Sequence, residues 1–211
     1  MIQEMKLQKA KMFQVLSVNG KAKTDVAIPD ETLIKMYEAM KLTRVSDIKA
    51  LQFQRQGRML TYAPNQGQEA AQVGSISATK DSDWMVQAFR EMGALLYKGA
   101  SLKQIFLYWY GNENGSKYEQ NILPVSVPIA SQLNHAAGLA YASKILKKDQ
   151  VIMAYVGDGG TSHGEFHEAM NFVQVFNLPM VTIIQNNHYA ISTPREYQTK
   201  AETLAQKAIA Y

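Results

Sequence analysis

The sequence contains no cysteine, which excludes disulfides, thiolate metal sites and a cysteine nucleophile together. It also lacks any apolar run approaching the length of a membrane span. Its start, Met1-Ile2-Gln3-Glu4-Met5-Lys6, has no unbroken apolar core of the kind a secretion signal needs. The same stretch carries a glutamate and no arginine, which argues against a mitochondrial presequence. The expectation is a soluble, cytoplasmic protein of bacterial type. Neither sign of charge dominates: 22 basic and 18 acidic residues leave a net charge of +4. Part of that excess lies in Lys6, Lys9, Lys11, Lys21 and Lys23, a run that a solvated surface explains more cheaply than nucleic acid does. Internal repeats and low-complexity tracts are absent too.

What is present suits one domain with a substantial core: 211 residues, 46% of them hydrophobic and 19% charged. Residues 1–29 read as an N-terminal extension. In it Phe13 to Val18, the turn Asn19-Gly20 and a partly alternating run to Ile28 predict a hairpin, because Asn-Gly tolerates the positive φ of a tight turn. Residues 30–211 read as the main domain. After Pro29, Asp30 can cap a long helix reaching to Gly57, with Leu33, Met36, Tyr37, Met40, Ile48 and Leu51 forming a stripe for a core or a partner. Helices are predicted around 68–78, 90–98 and 102–110, extended chain at 83–86 and again at 125–129, and a polar loop over 111–120. A helix rich in small residues follows from about Ser131 to Leu146, where Ala136, Ala137, Gly138, Ala140 and Ala142 permit close packing.

The most informative stretch begins at Val151. Val151 to Val156 is a continuous apolar run, as in a parallel strand buried on both faces, and it ends at Gly157-Asp158-Gly159-Gly160. A helix from about Thr161 to Phe176 and a second apolar strand, Met180 to Ile184, lead to Asn186-Asn187. Strand, helix and strand in this order bring both polar turns to one edge of the sheet, where ligands of open α/β folds bind. The carboxylate of Asp158 and the amide oxygen of Asn187 are hard donors suited to magnesium, whose remaining ligands would come from a diphosphate and water. The glycines remove bulk where phosphate must approach, and the next helix offers free amides to an anion. Gly-Asp-Gly alone is a common turn and Asn-Asn a common strand exit; their pairing at the spacing of one helix and one strand raises them above that reading.

At that spacing Gly157-Asp158-Gly159 and Asn186-Asn187 resemble the thiamin diphosphate motif. Gly157 to Ser162 together with Tyr189-Ala190-Ile191-Ser192-Thr193-Pro194 resemble the alpha subunits of pyruvate and branched-chain 2-oxo acid dehydrogenases. The similarity extends through Arg55-Gln56-Gly57-Arg58, Tyr62-Ala63-Pro64, Gly67-Gln68-Glu69-Ala70, Phe89-Arg90 and Thr203 to Ala208. The resemblance implies an α/β thiamin diphosphate-binding fold with a largely parallel sheet flanked by helices. It implies that Asp158, Asn187 and the carbonyl of Tyr189 bind magnesium, and that Arg90 holds the diphosphate. Phe89, Val127, Ile129, Gly159 and Gly160 would also contact the cofactor, and Ile191 would wedge beneath it and hold it bent. Glu165 and Glu168, on the helix after the metal turn, would pass protons between active sites; a solvated helix face is the other reading of Glu165. The family acts with a beta subunit as two alpha and two beta chains, and a lipoyl transacylase takes the acyl group of a small 2-oxo acid. No membrane is implied.

Two departures stand beside this. Phe89 replaces the tyrosine usual in the family, removing a phosphate-directed hydroxyl, and the chain ends at Ala210-Tyr211 within an expected helix, short of the family's C-terminal part. Arg55 to Arg58 and Tyr62 to Pro64 look pyruvate-type, whereas Ile129 to Gln132 and Ala140 to Lys144 also suit the branched-chain branch. A truncated, non-catalytic assembly piece is an answer of a different class. His163 and His167, four apart, could share a zinc ion. Phe106, Tyr108, Trp109 and Tyr110 read as core or interface rather than a base-stacking surface, and His135 and His188 remain unassigned.

Overall fold

The computed structural model describes residues 13–211; Met1 to Lys6 and the lysines at 6, 9 and 11 lie outside them. Four strands form one parallel sheet: β1 (Trp84–Val86), β2 (Ile122–Leu123), β3 (Ile152–Gly157) and β4 (Met180–Gln185), in the order β2-β1-β3-β4. Around it lie α1 (Asp30–Arg55), α2 (Glu69–Ile76), α3 (Met92–Tyr97), α4 (Leu102–Trp109), α5 (Ser131–Ile145) and α6 (Gly164–Val175).

The alternation of β3 explains the layers. Met153 and Tyr155 point into a core shared with Ala50 of α1, Ile76 of α2, Leu95 of α3 and Ile105 of α4. Ile152, Ala154 and Val156 point the other way, against Leu133, Ala136 and Ala140 of α5 and Phe166 and Ala169 of α6. A strand covered on both faces must be apolar at every position, which is what 151–156 shows. Each fully buried aliphatic residue such as Leu133 contributes about 2–3 kcal/mol of transfer free energy. The small residues of α5 allow the close approach of α6 expected for that helix.

Several expectations are corrected. Asp30 lies in the first turn of α1 and makes no capping bond; Pro29 holds the cap position. The buried face of α1 is Thr43, Ser46, Asp47 and Ala50, while Leu33, Tyr37 and Ile48 of the apolar stripe face outward. Small residues are needed there because the packing is tight: a Cβ on Gly93 of α3 would lie 3.2 Å from the Thr43 hydroxyl. The strand expected near 125–129 sits earlier, at Ile122–Leu123, and Val125 to Val127 pair with no strand. The N-terminal hairpin reduces to one antiparallel bridge, Leu16 with Ala22, around Gly20 at φ +74°. The end of the chain, Leu204–Ala210, is a 3-10 helix at whose start the Gln206 side-chain oxygen accepts from the Thr203 amide at 3.1 Å. Among the described residues no helix is long and apolar enough to cross a membrane.

Candidate functional site

The C-terminal ends of β1, β3 and β4 open onto a cleft of about 260 Å³ lined by the loops that leave them. After β3 the chain does not enter α6 directly. Asp158–Ser162 forms a tight 3-10 turn, stabilised by the Thr161 hydroxyl donating to the Asp158 carbonyl at 2.7 Å, and α6 starts only at Gly164. The amides nearest Asp158 are therefore those of the short turn, not of the helix expected from Thr161. Asp158 is 2% exposed, and its Oδ2 has no hydrogen-bond partner. An ionisable oxygen kept from water without a donor is costly, and a cation is one of the few partners that would offset it.

The glycines here answer to packing. A Cβ on Gly159 would lie 2.6 Å from the Ala190 Cβ, and one on Gly160 2.5 Å from the Val156 Cγ2. Only Gly157 faces open space, with nothing within 4 Å of a built Cβ. Packing by itself therefore requires a glycine at 159 and 160, whereas at 157 no protein atom does.

Past β4, the Asn186 Oδ1 accepts from the His188 amide at 3.1 Å and the Asn187 Oδ1 from the Tyr189 amide at 3.0 Å. The second bond aims the Asn187 carbonyl while leaving it a further lone pair. A two-stranded ribbon follows, β5 (Tyr189–Ala190) and β6 (Thr193–Pro194), leading to the short α7 (Arg195–Gln198). At the ribbon tip Ile191 is fully exposed with φ +57°. A β-branched residue in that region is strained, and such strain collects at ligand sites.

Arg90 is seated from below. Its Nη1 donates to the Pro64 carbonyl at 2.5 Å, and its own carbonyl accepts from Gln72 Nε2 at 2.6 Å. The Pro64 loop is fixed in turn by Asp47, which accepts from the Tyr62 hydroxyl at 2.6 Å and the Asn65 amide at 2.7 Å. Burial, and then the bond to Asp47, push the Tyr62 phenol up, so it remains a donor. The neighbouring Glu91 is 1% exposed and accepts from Gln185 Nε2 at 2.6 Å and the Arg90 amide at 2.9 Å. Burial pushes its carboxyl up to about 7, against the opposing effect of those donors.

Comparison with known proteins bears on this arrangement. The family model of the dehydrogenase E1 component matches residues 37–211. The chain belongs to the dehydrogenase E1 component family. This E1 chain is 54% identical over 198 residues to the pyruvate dehydrogenase E1 component subunit alpha of Acholeplasma laidlawii, covering 92% of this chain and 57% of that one. It is 41% identical over 207 residues to the Staphylococcus aureus subunit of that name, covering 96% and 56%, and 40% identical over 204 residues to that of Mycoplasma pneumoniae, covering 94% and 57%. The E1 chain thus spans little more than half the length of these relatives. Among solved structures, a Mycobacterium smegmatis enzyme described as thiamin diphosphate-dependent aligns at a TM-score of 0.46 and 17% identity, over 67% of this chain and 25% of that one, too partial a likeness to argue from.

In this E1 chain the cleft gathers Phe89, Arg90, Ile129, Asp158, Gly159, Gly160, Asn187, Tyr189 and Ile191. Val127 stands outside the lining and is 74% exposed. Glu165 and Glu168 also lie outside it; Glu165 is 3.9 Å from His163 Nδ1. His167 turns to the Tyr211 hydroxyl at 2.5 Å, and among the described residues no three His, Asp or Glu side chains assemble for a metal, which removes the third ligand a zinc site would need. The aromatic cluster is divided: Phe106 and Trp109 pack on the core, and Trp109 meets Tyr62 edge to face at 5.3 Å. Sequence reading did not single out Glu91 and Gln185, which also line the cleft. Glu91 sits beside the Phe89-Arg90 pair, but only the folded chain shows that it meets Gln185.

Proposed function

We propose that this chain is the cofactor-anchoring part of a pyruvate dehydrogenase alpha subunit, which binds thiamin diphosphate through magnesium and works with a beta subunit. The observation that carries the reading is the buried, unpartnered Oδ2 of Asp158 at the end of β3, in a residue that lines the cleft together with Asn187, Tyr189 and Arg90. The donor set suits the group: a carboxylate, an amide oxygen and a carbonyl for an oxygen-seeking divalent cation, and a guanidinium for a diphosphate. The names of the relatives support pyruvate as the substrate.

Asp158 and Asn187 would hold the cation with the Tyr189 carbonyl, and Arg90 would fix the diphosphate while Pro64 and Gln72 hold the arginine still. Ile191 would press on the cofactor from the ribbon tip, and Ile129 would close the apolar wall opposite. Thiamin diphosphate, when bound, supplies the nucleophilic carbon and the electron sink for decarboxylation of a 2-oxo acid. The acyl fragment would pass to a lipoyl group of a transacylase partner. Phe89 offers no hydroxyl to the diphosphate, so the charge of Arg90 carries more of its binding.

The test is calorimetric titration of thiamin diphosphate into this chain assembled with its beta partner. Uptake that requires magnesium and is lost in Asp158→Ala and Asn187→Ala is expected; undiminished uptake in both variants would sink the reading. Turnover of pyruvate against 3-methyl-2-oxobutanoate then separates pyruvate from branched-chain substrates.

A further inference from the structure

Arg90 leaves β1 and Asn187 leaves β4, and these strands are not neighbours: β3 runs between them. Two strand spacings, roughly 9–10 Å, separate their backbones, so no ladder hydrogen bond can set how far apart the two loops stand. One side-chain pair crosses the gap. The Gln185 Nε2 at the last position of β4 donates to the Glu91 Oε1 at 2.6 Å, beside Gly157, which is the β3 residue in register with Gln185. The other Glu91 oxygen accepts from the Arg90 amide at 2.9 Å. Glu91 therefore gathers the loop that carries Arg90, and Gln185 stands two residues before Asn187. Both side chains are at least nine-tenths buried and both line the cleft.

We propose that Glu91 and Gln185 form a clasp across the end of β3 that sets the spacing between Arg90 and Asn187, making both positioning residues for the cofactor. The inference rests on the cofactor reading above and adds two residues to it. A buried carboxyl bonded to an amide is a poor way to gain stability alone, because apolar groups of like volume fill the same space without desolvating polar groups. A hydrogen bond of fixed length and direction does something an apolar contact cannot: it locks the register of two loops. The Gln185 Oε1, which has no partner, also makes the pair reversible in polarity, since a flipped amide could accept from an amide at position 91.

That reversibility supplies the test, made on the chain assembled with its beta partner and read as the apparent KM for thiamin diphosphate at saturating magnesium. Gln185→Met removes the donor at similar length, and Gln185→Glu sets two carboxylates against each other. Each is expected to raise the apparent KM by about ten- to hundredfold, the range seen when groups that orient a binding site are lost, with kcat at saturating cofactor unchanged. The exchanged pair, Glu91→Gln with Gln185→Glu, restores a hydrogen bond and is expected to return to within about threefold of wild type, as a directly coupled pair does. Undiminished affinity in Gln185→Met, or an exchanged pair no better than Gln185→Glu alone, overturns the clasp while leaving the cofactor reading standing. Wild-type protein that takes up no thiamin diphosphate overturns that reading and the clasp with it.

Discussion

The guanidinium of Arg90 and the carbonyl of Pro64 meet at 2.5 Å, across a loop whose other end is tied to Asp47. One donor of the guanidinium is committed to the protein, and the fork keeps others for an anion. The arginine thus stands pre-oriented at the cleft, and its seat depends on a hydrogen-bond relay from α1 through Tyr62 and Asn65.

Tyr62→Phe interrupts that relay. It leaves a buried carboxylate oxygen of Asp47 short of one donor, and a cost of about 1–3 kcal/mol is expected from urea unfolding. The same variant should also bind thiamin diphosphate more weakly, because the Pro64 loop beneath Arg90 loosens; unaltered affinity together with unaltered stability would show that the relay is idle.

Asp158→Asn separates stability from binding. The carboxylate has a buried oxygen without a donor, so its neutralisation should leave the melting temperature of the cofactor-free protein unchanged or higher. Wild type should gain about 2.7 kcal/mol when thiamin diphosphate with magnesium is at a hundred times its Kd, and the variant should gain almost none. Differential scanning fluorimetry with and without both ligands reads the two effects in one experiment.

The three glycines of the turn make a graded series. Gly159→Ala and Gly160→Ala force contacts of 2.6 and 2.5 Å on Ala190 and Val156, and each should cost about 1–3 kcal/mol by overpacking. Gly157→Ala meets open space at an ordinary φ of −74°, so its stability should stay within about 0.5 kcal/mol of wild type. Thermal unfolding of the three checks the order.

Glu91 makes stability depend on pH. Burial raises its folded pKa to about 7 from an unfolded value of 4.5, so between these values the folded state binds the extra proton. Its contribution is fully present below pH 4.5, falls as pH rises through the window, and is gone above pH 7, a loss on the order of 3 kcal/mol. Glu91→Gln cannot ionise, and its stability relative to wild type should rise from pH 5 to pH 8. A constant difference across that range in chemical denaturation would count against a buried, titrating carboxyl.

Legibility in the sequence followed the range of the interaction. The apolar run 151–156, its Gly-Asp-Gly exit and the run to Asn186-Asn187 are local patterns, and the parallel pairing of β3 with β4 brings their ends together as that order implied. Where the reading went astray, a distant partner decided. The apolar stripe of α1 was read as facing a core or a partner; the close approach of α3 makes Thr43, Ser46, Asp47 and Ala50 the core face, and Leu33, Tyr37 and Ile48 stay exposed. At Gly159 and Gly160 the sequence did not show a second constraint, the close approach of Ala190 and Val156. Val127, placed with the cofactor, lies outside the lining of the cleft, because the segment after β2 leaves it 74% exposed.

By itself the sequence determined the two long apolar strands, the turns at their ends and the family to which they belong, because hydrophobic period and turn chemistry act over a few neighbouring residues. The tertiary structure alone decided that Glu91 meets Gln185, that Asp47 holds the loop under Arg90, and that Asp158 is buried without a donor. Each of these depends on strand order and helix approach, and such contacts form only when segments far apart in the chain have packed against one another.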